Sequence, residues 1–146
     1  MFREILVPTD LSEGSLGALR LAIKIARESK GRITLLHVGV TPMPIGLESY
    51  GAVSAEVLEG LREQMSRENQ HACEKIVASE LPTGMEYRIA LREGYPPEEV
   101  VAEAKACGAD VIVMGTHGRT GLQRVLLGSV AERVIRTSDI PVLVTR

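Results

Sequence analysis

Two kinds of apolar pattern alternate along this chain. Short runs that are nearly continuous in Val, Ile and Leu are typical of strands buried on both faces of a parallel sheet. Between them lie longer stretches in which apolar residues recur every three or four positions, as in amphipathic helices. The apolar runs predict five strands, within residues 5–7, 33–38, 85–91, 111–114 and 141–144.

The stretches between these strands carry residues that favour helix ends. Ser12 can cap a first helix, and Gly31 supplies its stop. A long helix is predicted over about 55–79, with Leu58, Leu61, Met65, Ala72 and Ile76 on one face. Pro96 and Pro97 suit a first helical turn, so a helix is predicted from 96 to 107. A further, short helix is predicted over 129–136.

This alternation predicts a doubly wound α/β fold: a five-stranded parallel sheet with helices on both faces, in one domain over residues 1–146. In such sheets, ligands bind beyond the carboxyl ends of the strands, where the strand order reverses. We therefore expect a site in the loops after residues 7, 38 and 114. Residues 39–54 hold Pro and Gly without a sustained period, which predicts a long surface loop, with a lid and a spacer as open alternatives.

Composition argues against nucleic-acid binding and against a membrane span. The chain has a formal net charge of -2 and four aromatic residues, so it offers neither the basic face that duplex binding needs nor a platform for stacking bases. No apolar run approaches the roughly 20 residues of a bilayer span, and the start does not resemble a signal peptide. We expect a cytoplasmic protein in which Cys73 and Cys107 are free thiols.

Positive charge is concentrated near the end of the chain. Residues 116–146 contain five arginines against one glutamate and one aspartate. This excess favours a small anion as a ligand of the C-terminal segment.

The segment with the most candidate chemistry runs from Gly115 to Ser129, between a predicted strand and a predicted helix. Glycines let a backbone approach a ligand closely, and the free N–H groups of a helix N-terminus attract phosphate oxygens. The pattern therefore predicts a phosphate cradle with Ser129 as a further donor. The alternative is structural: the glycines form turns, and Ser129 caps the helix in a capping box with Glu132.

Two common phosphate signatures are absent, namely the P-loop and the Gly-x-Gly start of a dinucleotide fingerprint. The chain instead contains Gly115-x2-Gly118-x9-Gly128-Ser129. Val7-Pro8-Thr9-Asp10 follows its first strand, and Leu36-His37-Val38 ends the second. With these motifs the whole chain resembles the universal stress protein family, and its spacing matches the members that bind ATP.

The resemblance implies a Rossmann-like fold of the adenine nucleotide alpha hydrolase type and a site for ATP or AMP, with Mg²⁺ as an ion carried by the nucleotide. Phosphates would be surrounded by Gly118, Gly128, Ser129 and Val130. The ribose side would be lined by Met114 and Gly115. The adenosine end would be held by Pro8, Thr9, Asp10 and Val38, where a carboxylate can accept from ribose hydroxyls.

Several of these residues have simpler alternatives. Asp10 is also a common turn or helix-start residue. His117, within the glycine loop, either touches phosphate or faces solvent, and no partner at ligand spacing supports a metal site. Arg119 and Arg124 either screen phosphate charge or are solvated. We interpret His37 and His71 as structural.

Three functional hypotheses follow. The first is a nucleotide-binding regulatory protein of the stress response, in which occupancy by ATP or AMP sets a conformation or a partner preference. The second is a slow Mg²⁺-dependent ATPase, and the third is a nucleotide-free interaction module. Hydrolysis needs an activated water, and the sequence offers no convincing base, so we predict no catalytic residue.

The final strand predicts an assembly. It is apolar on both faces, and in a doubly wound sheet the last strand tends to lie at an edge, where its unpaired N–H and C=O groups favour association. Universal stress proteins typically dimerise by pairing this strand with its twofold mate. The resemblance therefore implies a homodimer through Pro141, Val142, Leu143 and Val144, with a monomer as the alternative.

Overall fold

The computed structural model describes residues 1–40, 54–116 and 127–146. All five predicted strands and all four predicted helices are present, with ends that differ from the predicted ones by a few residues. In chain order the elements are β1 (Glu4–Thr9), α1 (Glu13–Ser29), β2 (Arg32–Gly39), α2 (Ala55–Glu80), β3 (Tyr87–Glu93), α3 (Pro96–Cys107), β4 (Val111–Gly115), α4 (Ser129–Thr137) and β5 (Val142–Thr145). Most of the predicted surface loop, residues 41–53, lies outside the described residues.

The sheet is parallel throughout and has the order β3-β2-β1-β4-β5. From β1 the chain moves outward through β2 to β3, and it then returns to the other side of β1 for β4 and β5. The strand order therefore reverses between β1 and β4. This arrangement confirms the predicted doubly wound fold, and it places β5 at an edge as expected.

The core has one layer on each face of the sheet. Because side chains alternate along a strand, Ile5 and Val7 contribute to the layer under α1 and α2, whereas Leu6 contributes to the layer under α3 and α4. All three side chains are fully buried. This two-sided burial is the reason that β1 is a continuous apolar run in the sequence.

Helix α2 packs on the sheet only through its C-terminal half. Its buried residues are Cys73 and Val77, whereas Leu58 and Leu61 are 37% and 50% exposed. The sheet therefore does not cover these two leucines, although they belong to the apolar face of the helix. The reason is length: a helix of 26 residues is about 39 Å long, whereas the eight residues of β2 span about 26 Å, so the first turns of α2 extend past the strands.

None of the helices within the described ranges combines the length and the apolar character that crossing a bilayer requires. Both cysteines are free thiols, as predicted. Burial raises the pKa of Cys73 to about 11 and also raises the pKa of Cys107. Both thiols are therefore protonated at neutral pH, as expected of cysteines that serve in packing.

Two buried carboxylates are each matched by guanidinium groups. Glu103 of α3 accepts a hydrogen bond from Nε of Arg92 at 2.6 Å and a second one from Arg88, and both arginines lie on the edge strand β3. Glu4 of β1 accepts one from Nε of Arg32 at 2.7 Å. Because a buried charge is tolerated only when it is paired, these contacts tie α3 to β3 and β1 to β2.

The end of α1 differs in detail from the prediction. The left-handed residue is Lys30, with φ of 53°, rather than Gly31. Gly31 is needed for a different reason: a Cβ there would lie 2.7 Å from the carbonyl oxygen of Phe2 and 3.0 Å from that of Arg3. Its N–H also donates to the carbonyl of Ala26 at 2.9 Å, which closes the helix.

This packing yields a stability prediction with a matched control. We expect Gly31→Ala to lower the free energy of unfolding by about 1–3 kcal/mol, because the new methyl group overlaps backbone oxygens that cannot move aside easily. Gly60→Ala, on an open surface of α2 with no atom near the new methyl group, should instead raise it by about 0.5–1 kcal/mol through helix propensity. Urea unfolding followed by circular dichroism measures both values. Equal stability of the two variants would contradict the close approach at Gly31.

Candidate functional site

A cavity of about 490 Å³ lies at the carboxyl ends of β1, β2 and β4, where the strand order reverses. Its walls also include the first turns of α1, α3 and α4 and the middle of α2. Nine of the twelve residues predicted for the site line it: Pro8, Thr9, Asp10, Val38, Met114, Gly115, Gly128, Ser129 and Val130. The other three, His117, Gly118 and Arg119, lie outside the described residues, as does Arg124.

The turn between β1 and α1 forms the floor of the cavity. The Thr9 hydroxyl lies 2.7 Å from that of Ser15 and accepts a hydrogen bond from the N–H of Leu11 at 3.0 Å. Leu11 has a φ of 67°, a left-handed conformation that is costly for a residue with a bulky side chain. The hydrogen bond from Leu11 to Thr9 helps to hold this turn, so its shape depends on the Thr9 side chain.

Asp10 takes part in the same turn. Its Oδ1 accepts hydrogen bonds from the backbone N–H of Ser12, at 3.0 Å, and from the Ser12 hydroxyl. The turn role that the sequence allowed for Asp10 is thus observed, and its contact with ribose stays a prediction. Ser12 is at the N-cap position of α1 as expected, but its side chain binds Asp10 instead of capping the helix.

His37 also lines the cavity, although we expected it to be structural. The side chain is buried, and Nδ1 lies 2.9 Å from the carbonyl oxygen of Thr9. Because a carbonyl only accepts, Nδ1 carries the proton, and in the neutral ring Nε2 is then an acceptor. His37 therefore both supports the turn after β1 and faces the site.

The start of α4 is brought against the end of β4 by a close backbone contact. The N–H of Gly128 donates to the carbonyl of Thr116 at 2.7 Å, and a Cβ on Gly128 would lie only 2.6 Å from that oxygen. Gly128 is the N-cap, and the helix has no side-chain cap. The alternative in which Ser129 caps the helix in a capping box with Glu132 is therefore wrong, because Ser129 lies within the helix rather than before it.

This geometry brings the positive end of a helix dipole to one end of the cavity. The first backbone N–H groups of a helix lack intrahelical acceptors, and they carry the positive end of its dipole. In α4 these groups belong to Ser129, Val130 and Ala131, all of which line the cavity. Among the described lining residues there is no Lys or Arg, and Asp10 is the one carboxylate. Within the described lining, an anion bound at this end would therefore meet the backbone N–H groups of α4.

The structure adds lining residues that we did not predict, notably Met65 and Asn69 from α2. A signal for Asn69 was present, since it lies four positions after Met65 and hence on the same helix face. A polar residue next to an apolar stripe is only a weak indication of a lining residue, however. Only the packing of α2 over the end of β2 brings this face to the cavity.

The match to known proteins extends over the whole chain. The sequence matches the universal stress protein family over residues 1–146. The chain belongs to the universal stress protein family. It is 40% identical over 147 residues to universal stress protein MJ0531 of Methanocaldococcus jannaschii, covering 100% of this chain and 83% of that protein. It is also similar to the solved structure of MJ0577 from the same organism, with 33% identity, a TM-score of 0.82 and coverage of 99% of this chain and 96% of that chain.

Solved universal stress proteins with bound nucleotides are also similar to this chain. One is a complex with cAMP. Another, from Archaeoglobus fulgidus, is a complex with dAMP; it is 24% identical, has a TM-score of 0.62, and the match covers 99% of this chain and 98% of that chain. At this identity the likeness establishes a shared fold and no more.

Proposed function

We propose that this universal stress protein binds an adenine nucleotide, ATP or AMP, in the cavity at the carboxyl ends of β1, β2 and β4. Occupancy would set a conformation or a partner preference during the stress response. The observation that carries the proposal is the shape and polarity of this cavity, which has a glycine-led helix N-terminus at one end and apolar side chains at the other. The dAMP and cAMP complexes of other family members support it.

In this proposal the phosphates lie at the start of α4. The N–H groups of Ser129 and Val130 and the Ser129 hydroxyl would donate to phosphate oxygens, as such groups do at other helix N-termini. Gly128 permits this, because any side chain there would force the helix away from Thr116. The resemblance assigns Gly118 to the same proposed phosphate end. His117 and Arg119, its neighbours in the sequence, are further candidates for contact with the phosphates.

The nucleoside lies across the end of β1. The ribose rests on Met114 and Gly115 at the end of β4, and Asp10 accepts from its hydroxyls. The adenine packs beyond Pro8 and Thr9 on Val38 at the end of β2. Within the described residues no three metal-ligating side chains lie together, so Mg²⁺ would be carried by the phosphates and water.

The chemistry of the lining favours binding over turnover. Fast hydrolysis needs a base or a group that positions water near the γ-phosphate. Asp10 and His37 are the side chains of the described lining that could take a proton, and both already hold the turn after β1. We therefore propose no catalytic role for either residue.

We further propose a homodimer through the outer edge of β5. The carbonyls of Pro141 and Thr145 accept from β4, so by alternation Leu143 also bonds to β4. The N–H and C=O groups of Val142 and Val144 then face away from the sheet. A twofold copy of β5 would satisfy these groups and cover Leu143, which is 37% exposed.

The first test is calorimetry of nucleotide binding. We expect a dissociation constant for ATP or AMP of about micromolar. Ser129→Ala should weaken binding about tenfold by removing a hydrogen bond to a charged group, and Gly128→Val should weaken it further by displacing α4. Ser79→Ala, a helical serine far from the cavity, is the control. Wild-type affinity in both site variants would refute the phosphate assignment.

The second test concerns hydrolysis. Phosphate release with Mg²⁺ should be far slower than the roughly 1 to 10³ s⁻¹ of dedicated enzymes, because the cavity orients phosphate without activating water. A coupled phosphate assay measures the rate. A turnover near one per second that Asp10→Asn abolishes would make the protein an ATPase instead.

The third test concerns assembly, measured by light scattering after gel filtration at about 10 µM, a concentration suited to micromolar contacts. We expect a dimer for the wild type and monomers for Val142→Pro and Val144→Pro, since each removes an outward N–H and leaves the ladder to β4 intact. Leu143→Pro is the contrasting variant, because it breaks that ladder and should lower the melting temperature. A wild-type monomer, or folded proline variants that stay dimeric, would disprove the β5 interface.

A further inference from the structure

Asn69 of α2 occupies the junction of two cavities. The first is the proposed nucleotide cavity, and the second, of about 240 Å³, adjoins it near the ends of β2 and β3. The two cavities share five lining residues: His37, Gly39, Val40, Met65 and Asn69. Among these, Asn69 carries the one side-chain amide, a planar group with two donor hydrogens and an acceptor oxygen.

The Asn69 amide is half-buried, and within the described part of the chain it has no hydrogen-bond partner. The polar side chains around it differ in this respect. The hydroxyls of Thr9 and Ser15 pair with each other, and Nδ1 of His37 is bonded to the carbonyl of Thr9. A partly desolvated amide that lacks hydrogen-bond partners destabilises the fold unless a ligand or water forms the missing hydrogen bonds.

The position of Asn69 corresponds to the base end of the cavity. The start of α4, where phosphate charge is favoured, lies at the end of β4, and one strand, β1, separates β4 from β2. Two strand spacings amount to about 10 Å, which places the opposite end of a nucleotide over β2. A Cβ on Gly39 would lie 3.5 Å from Nδ2 of Asn69, so the amide rests directly above the end of that strand.

We propose that the Asn69 side chain reads the N6–N7 edge of adenine. Oδ1 accepts from the exocyclic amino group, while Nδ2 donates to N7, the bidentate pairing for which an amide is suited. Val38, next to Gly39 on β2, supplies the apolar surface on which the ring lies. The inference rests on the proposed nucleotide function and deepens it, because it makes a side chain of α2 the source of specificity for adenine.

The test compares ATP with 7-deaza-ATP, which lacks the N7 acceptor, by calorimetry. We expect wild type to bind ATP about tenfold more tightly than 7-deaza-ATP. In Asn69→Ala this preference should fall to about one, because only ATP loses the N7 contact. Asn69→Asp, which keeps the shape but replaces the donor by an acceptor, should also abolish it. Gln70→Ala, an adjacent change in a side chain that bonds to Glu74, should keep the wild-type preference.

The outcomes separate this inference from the function on which it rests. Wild type that binds no adenine nucleotide would overturn the proposed function and the inference together. Wild type that binds ATP but does not distinguish it from 7-deaza-ATP would overturn the inference alone. The same holds if Asn69→Ala weakens both ligands equally, since an equal loss indicates a structural role. Melting curves of each variant show that it is folded.

Discussion

The structure depends on the position of β1 between the two halves of the sheet. Its hydrogen bonds join β2 on one side and β4 on the other, and its side chains form the centre of both core layers. Parallel neighbours require crossover helices, and helices that leave β1 and β4 move in opposite directions. An open space at the carboxyl ends of these two strands is a consequence of this topology. The cavity lies there because the strand order reverses there.

Part of the polarity of the cavity comes from the backbone. The contact between Gly128 and the Thr116 carbonyl brings the positive end of α4 to one side. The described lining contributes no cationic side chain, so within it the backbone of α4 supplies the attraction for an anion. In the proposed function, the affinity for a nucleotide would therefore depend on the position of α4.

Because α2 is long, one part of it packs in the core while another part lines the cavity. The helix packs through Cys73 and Val77, beyond the cavity, and its next turns toward the N-terminus carry Asn69 and Met65 across the end of β2. Packing that buries one part of a helix thus positions another part as a wall of the site. In the proposed mode of binding, the base meets a side chain whose location is set by the core rather than by a loop.

The sequence by itself determined the fold and most of the candidate site. The apolar run at residues 5–7 of β1 is readable because burial on both faces favours apolar side chains at consecutive positions. The glycine spacing that ends at Gly128 is readable because glycine is required where the backbone makes a close approach. Nine predicted site residues meet in one cavity, since strand ends and helix starts are themselves local features. Their contacts with a nucleotide stay predictions.

Only the tertiary structure decided which residue takes each helix-end position and which residues far apart in the sequence meet. Lys30, not Gly31, is left-handed, and Gly31 is needed instead where the chain passes close to the carbonyls of Phe2 and Arg3. Gly128 displaces Ser129 as the N-cap of α4 because of its contact with Thr116. His37 and Asn69 join the site through the packing of strands and helices far apart in the sequence. Such long-range packing leaves no periodic pattern in the chain, so it becomes visible only in three dimensions.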